Sequence, residues 1–111
     1  MRDLNINEAR LIREVANKLP DTERRILLDD LCNARVCLSE EEAGRVLFSI
    51  DGYVRPPYLG QHAYPVEMVG KNNLGQSFSI ILYADCNGRL YELEVIDWEG
   101  GVLDWGAISY Y

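Results

Sequence analysis

Apolar residues recur at three- and four-residue intervals through the N-terminal third of the chain and at every second position beyond it. That change of period predicts helices followed by strands. Over residues 5–19, Ala9, Ile12, Ala16 and Leu19 share one helical face, flanked by Leu11 and Val15. Arg10, Arg13, Glu14 and Lys18 fall mostly on the other side. Asn5 or Asn7 is placed to cap the first turn, Glu8 suits the positive helix end, and Pro20 stops the run. Asp21 then reads as the cap of a second helix, with Ile26, Leu27, Leu28, Leu31 and Ala34 as its apolar face. The short break between the two predicts a helical hairpin over residues 1–37. Asp29 and Asp30 are neighbours on that helix and point about 100° apart, so they form no catalytic pair and are expected on a solvated face.

Residues 39–42 read as an acidic turn, and 45–50 as a strand closed by Asp51-Gly52. Residues 53–61 contain Pro56-Pro57 and Gly60 and predict a locally stiff loop. Strands follow at 64–71, 76–84 and 89–97, with a last one over 102–110. Asn72-Asn73-Leu74-Gly75 and Asp85-Cys86-Asn87-Gly88 are turns, the second a hairpin signal. Links this short permit only antiparallel neighbours. The expected architecture is a single α+β domain over 1–111: two N-terminal helices packed on one face of a small, mainly antiparallel sheet spanning 44–111.

Alternation assigns faces to the last hairpin. Tyr91, Leu93 and Val95 are expected toward the helices; Leu90, Glu92, Glu94, Ile96 and Trp98 are expected on the other side. On the partner strand Phe78, Ile80 and Leu82 make the apolar face, while Ser77, Ser79, Ile81 and Tyr83 make the mixed one. Coincident mixed faces would combine apolar anchors with polar and charged groups, as binding surfaces do. A plain solvated sheet face would also carry alternating glutamates, and both tryptophans, Trp98 and Trp105, could equally be core.

Charge sharpens the picture. The net charge is −7, and residues 41–111 hold 10 acidic but 4 basic side chains. Residues 91–105 contain Glu92, Glu94, Asp97, Glu99 and Asp104 with no Lys or Arg. Direct nucleic-acid binding requires a cation surplus that is missing, whereas a basic partner is the natural complement. The N-terminal residues lack the pattern of a secretory signal, and no apolar run approaches the roughly 20 residues of a bilayer span. Cys32, Cys37 and Cys86 are odd in number and lack C-x-x-C spacing. Free thiols in a cytoplasmic, non-membrane protein are expected.

Catalytic patterns are absent. His62 is the single histidine, no G-x-S-x-G or H-E-x-x-H occurs, and no phosphate-binding glycine pattern is present. No catalytic residue, cofactor or metal is therefore assigned, and no enzyme is expected. Two alternatives stay open. A small ligand could lie between the sheet and residues 53–64, using Tyr53, Tyr58, His62 and Tyr64. Glu92 and Glu94, with Asp97 or Asp104, could hold Mg²⁺.

The run Asp85, Gly88, Leu90, Glu92, Leu93 and Glu94, of form D-x-x-G-x-L-x-E-L-E and followed by an acidic tail, closes a two-helix-then-sheet order. In this it resembles small bacterial immunity proteins of toxin–immunity pairs, such as those of contact-dependent growth inhibition. The resemblance implies a protein that blocks a cognate toxin, a basic nuclease, stoichiometrically. The toxin would then supply the missing cations. Tyr83, Glu92, Glu94, Asp97, Trp98, Glu99, Asp104 and Trp105 are the expected partner-binding residues.

Overall fold

A computed structural model describes residues 1–40, 44–57, 60–71, 74–97 and 109–110. Strand β1 (Arg2–Asp3) precedes helices α1 (Ile6–Asn17) and α2 (Asp21–Asn33). Strands β2 (Ala34–Glu40), β3 (Arg45–Ile50), β4 (His62–Ala63), β5 (Met68–Lys71), β6 (Ser77–Ala84), β7 (Leu90–Asp97) and β8 (Ser109–Tyr110) follow. The sheet runs β1-β2-β3-β7-β6-β5-β8 with every pairing antiparallel, and β4 pairs with β6 beside β5. The fold is α+β, with the helices packed against the sheet.

Asn5 closes α1 with a reciprocal capping box: its Oδ1 accepts from the Glu8 amide, and Glu8 Oε1 accepts from the Asn5 amide. Glu8 is buried, and Arg2 forks onto both of its oxygens at 2.8 and 2.9 Å, tying β1 to the helix. Leu11, Ile12, Val15, Ala16 and Leu19 of the α1 segment and Leu27 of α2 meet Val46, Phe48, Phe78, Ile80, Leu82 and Leu93 of the sheet in one core. At the other side of the β3–β7 pair, the Val95 amide donates to the Gly44 carbonyl at 2.7 Å. A Cβ on Gly44, which has φ +66°, would collide with the Val95 carbonyl oxygen, so only glycine lets the two backbones come this close.

Several local expectations fail, two at prolines and one through strand pairing. Asp21 is the first residue of α2 rather than its cap, because Pro20 holds the extended boundary position; the Asp21 carboxylate instead reaches Arg24 at 3.4 Å. The helix ends at Asn33, and the stretch expected to finish it and then turn is β2, paired residue for residue with β3 around a bulge at Cys37. Of the expected strand at 64–71 only β5, Met68–Lys71, forms: Pro65 has no amide to donate, and the other paired segment, β4, lies just before the expected start. Of the expected last strand, Ser109–Tyr110 is described and pairs with β5.

The β6–β7 register also corrects the face assignment. Tyr83 opposes Glu92 while Ala84 opposes Leu90, so Tyr91 is an extra residue in the ladder. The bulge brings Leu90 into the core with Leu93 and Val95 and leaves Tyr91 half-buried. Phe78, Ile80 and Leu82 are fully buried, as alternation predicts.

Candidate functional site

Two acidic, aromatic groups lie on the β6–β7 hairpin. The first surrounds its turn, where Gly88 at φ +75° lets the chain reverse. Asp85 is buried there and accepts four hydrogen bonds: from Tyr53 Oη at 2.6 Å, Arg55 Nη1 at 2.7 Å, and the amides of Asn87 and Arg89 at 2.9 and 3.0 Å. Burial alone would raise this carboxyl; the Tyr53 and amide hydrogen bonds and the Arg55 charge outweigh it and hold the group below its ordinary value. Arg55 lies 4.8 Å from the Tyr91 ring centre and also donates to the carbonyls of Phe48 and Leu90.

Arg89 continues this cluster into the helical layer. Its guanidinium sits 4.3 Å from the Tyr53 ring centre and forks onto Asp30, with Nη2 2.7 Å from Oδ1. The Leu90 amide also donates to Asp30, at 3.1 Å. Asp30, expected on a solvated face, is 1% exposed. A carboxylate in the last turn of a helix opposes the helix dipole, and the Arg89 fork offsets both that and the burial. Tyr64 Oη is buried close to these charges without a hydrogen-bond partner among the described residues. Burial, then the Asp30 and Asp85 charges, push its phenol well up.

The second group lies on the sheet face turned away from the helices. Glu94 stands opposite Ile81 on β6 and Arg45 on β3, and Glu92 opposite Tyr83 and Leu47. Tyr83 Oη donates to Glu94 at 3.1 Å; burial, then this bond and the two carboxylates, raise the phenol. Glu92 is 3% exposed and takes Arg45 Nε at 3.0 Å, while the other side of that guanidinium reaches Glu40 at 3.8 Å. Glu92 therefore does have a cation within the chain. Glu94 is half-buried and meets no Lys or Arg within 4 Å among the described residues. Ile96 beside it is 39% exposed.

The structure thus brings Tyr83, Glu92 and Glu94 together. Asp97 is backbone-paired with Phe78 at the end of β7. The Asp97 side chain and Trp98, Glu99, Asp104 and Trp105 lie outside the described residues. Of the alternative ligand set, Tyr53 hydrogen-bonds Asp85, Tyr64 is buried and lines a hollow beside β6, His62 is exposed on β4, and Tyr58 lies outside the described residues. The space among Arg55, Pro56, Pro57, Gly60, Asp85, Cys86 and Tyr91 is about 10 Å³, room for a water at most. Among the described residues no group of three or more His, Cys, Asp and Glu is placed to hold a metal ion. Cys32, Cys37 and Cys86 are free and exposed.

Sequence reasoning missed a hollow of about 390 Å³ lined by Ala63, Tyr64, Pro65, Val66, Glu67 and Ile81. It exists because Pro65 interrupts the strand beside β6, and that proline was the available signal. No helix among the described residues is long and apolar enough to cross a membrane. Comparisons with protein-family models, with curated proteins and with solved structures returned no match.

Proposed function

We propose that this chain is a non-catalytic inhibitor of the immunity type, acting in the cytoplasm by docking the open sheet face around Tyr83 and Glu94 onto a basic protein toxin, a nuclease. The observation that carries the reading is Glu94: a half-buried carboxylate held by Tyr83, beside Ile81 and Ile96, with no Lys or Arg within 4 Å among the described residues, because its cross-strand neighbour Arg45 is turned onto Glu92 and Glu40. A net charge of −7 speeds encounter with a basic surface, and apolar contacts around the carboxylate slow release. Covering a nuclease's cationic cleft excludes its polyanionic substrate without any chemistry by the inhibitor.

Affinity capture from native cells tests this. The tagged chain should retain one basic polypeptide near one-to-one, and its activity should disappear on mixing. Glu94→Lys, with an unchanged melting temperature, should weaken that complex at least about tenfold, since it sets like charges against each other. Loss of all retention by the unmodified chain, in cells shown to make candidate toxins, would remove the inhibitor reading. Undiminished affinity of Glu94→Lys would move the interface to another surface.

A further inference from the structure

The 390 Å³ hollow has a composition that the docking of a flat surface does not require. It is lined by Ala63, Tyr64, Pro65, Val66 and Ile81, together with an exposed carboxylate, Glu67. Ile81 is also the cross-strand neighbour of Glu94, and directly opposed side chains on a sheet lie about 5 Å apart at Cβ. Glu67 thus lines the hollow itself, and Glu94 stands one strand beyond its Ile81 wall. Neither has a Lys or Arg within 4 Å among the described residues. The cation nearest to Glu94 in the sheet, Arg45, is already held by Glu92 and Glu40.

A long apolar stem ending in a positive charge matches this arrangement. We propose that the hollow is a socket for a single arginine side chain of the docked partner. Its methylenes lie against Pro65, Val66 and Ile81, and its guanidinium bridges Glu67 and Glu94. Arginine fits better than lysine because its head is planar, weakly hydrated and able to serve two carboxylates at once. The volume lies within the range of sites that enclose a small ligand group. Arginine is among the residue types enriched in interface hot spots, which fill pockets on the partner. The assignment deepens the inhibitor reading and rests on it for the basic partner, but its chemistry can be tested without that partner.

The test is a titration of the ¹⁵N-labelled chain with N-acetyl-arginine methylamide, followed by amide shifts, beside the uncharged citrulline analogue of the same shape. Arginine should move the amides of Ala63, Val66, Glu67, Ile81 and Glu94. It should bind about tenfold more tightly than citrulline. Glu67→Gln, an exposed and nearly isosteric change, should remove that preference while leaving the rest of the spectrum in place. Equal binding of citrulline, shifts that map elsewhere, or no shifts at all would overturn the socket. With a captured toxin in hand, Glu67→Gln should weaken the complex at least about fivefold. Unchanged affinity would overturn the socket and leave the inhibitor reading standing. A chain that binds the arginine probe but captures no partner would leave the socket standing and remove the inhibitor reading.

Discussion

At the turn of the β6–β7 hairpin, Asp85 accepts from four donors; on the open face of the same hairpin, Glu94 accepts from Tyr83 alone among the described residues. Both groups pair a carboxylate with a tyrosine, and composition does not tell them apart. What separates them is the supply of donors. Asp30 and Asp85 are met by Arg89 and Arg55, each also laid over a tyrosine ring, so the charges are internally closed. Such a cluster joins α2, the 53–57 segment and the hairpin, and it offers nothing to a partner. On the open face Arg45, the cross-strand neighbour of Glu94, is held by Glu92 and Glu40, so among the described residues no Lys or Arg lies within 4 Å of Glu94 on its partly apolar surface. A saturated acid is scaffold; an unsaturated one is available for recognition.

The largest effect should come from opening the closed cluster. Asp30→Ala strands the Arg89 fork and the Leu90 amide, and breaking a buried pair from one side costs about 3–5 kcal/mol. Urea unfolding should show a midpoint far below that of the parent chain. Replacing Asp30 by Leu and Arg89 by Met together should cost less than Asp30→Ala alone, because no unpaired charge remains. A single variant as stable as the parent would mean that the cluster is not the clamp described here.

Asp85→Asn is next, at about 2 kcal/mol near neutral pH, since hydrogen bonds to a charged acceptor weaken together. The pH dependence has a definite sign. The Asp85 carboxyl is held below its ordinary value in the folded chain, so the unfolded chain takes up the proton first as pH falls. The stabilisation is complete above the unfolded value near 4 and is lost as pH drops through the lower folded value. The stability gap between parent and Asp85→Asn should therefore narrow steadily below about pH 4. A gap independent of pH would assign the loss to packing rather than to charge.

The two regions also differ in how much of each could be read from the chain. The strands at 45–50 and 77–84 were legible because each is buried on one face, and Phe78, Ile80 and Leu82 alternate cleanly. β2 was not, because only Val36 of its seven residues is buried, and its strand character comes from pairing with β3. Asp30 was misjudged because Arg89 lies 59 positions away and no local period reports such a partner. The same distance hides the cation of Glu92, since Arg45 lies 47 positions away. By contrast the shared face of Tyr83 and Glu94 follows from alternation alone, since both belong to strands whose pairing a short turn dictates.

The sharpest version of the comparison uses two residues that share one face of β7. Glu92→Gln removes the charge that holds the Arg45 Nε and leaves a buried amide in its place, so it should lower the unfolding midpoint measurably. Glu94→Gln keeps an acceptor for Tyr83 in a half-buried position and should shift stability by less than about 0.5 kcal/mol. Binding should show the opposite order: Glu94→Gln should weaken capture of a basic partner, while Glu92→Gln, once corrected for any unfolded fraction, should leave it nearly unchanged. Thermal unfolding and affinity, measured on both variants, form a crossed pair in which each residue moves one readout. If both variants moved both readouts alike, the face would have to be treated as one electrostatic unit. Arg45 would then balance Glu92 and Glu94 together, and Glu94 could not be regarded as a free recognition charge.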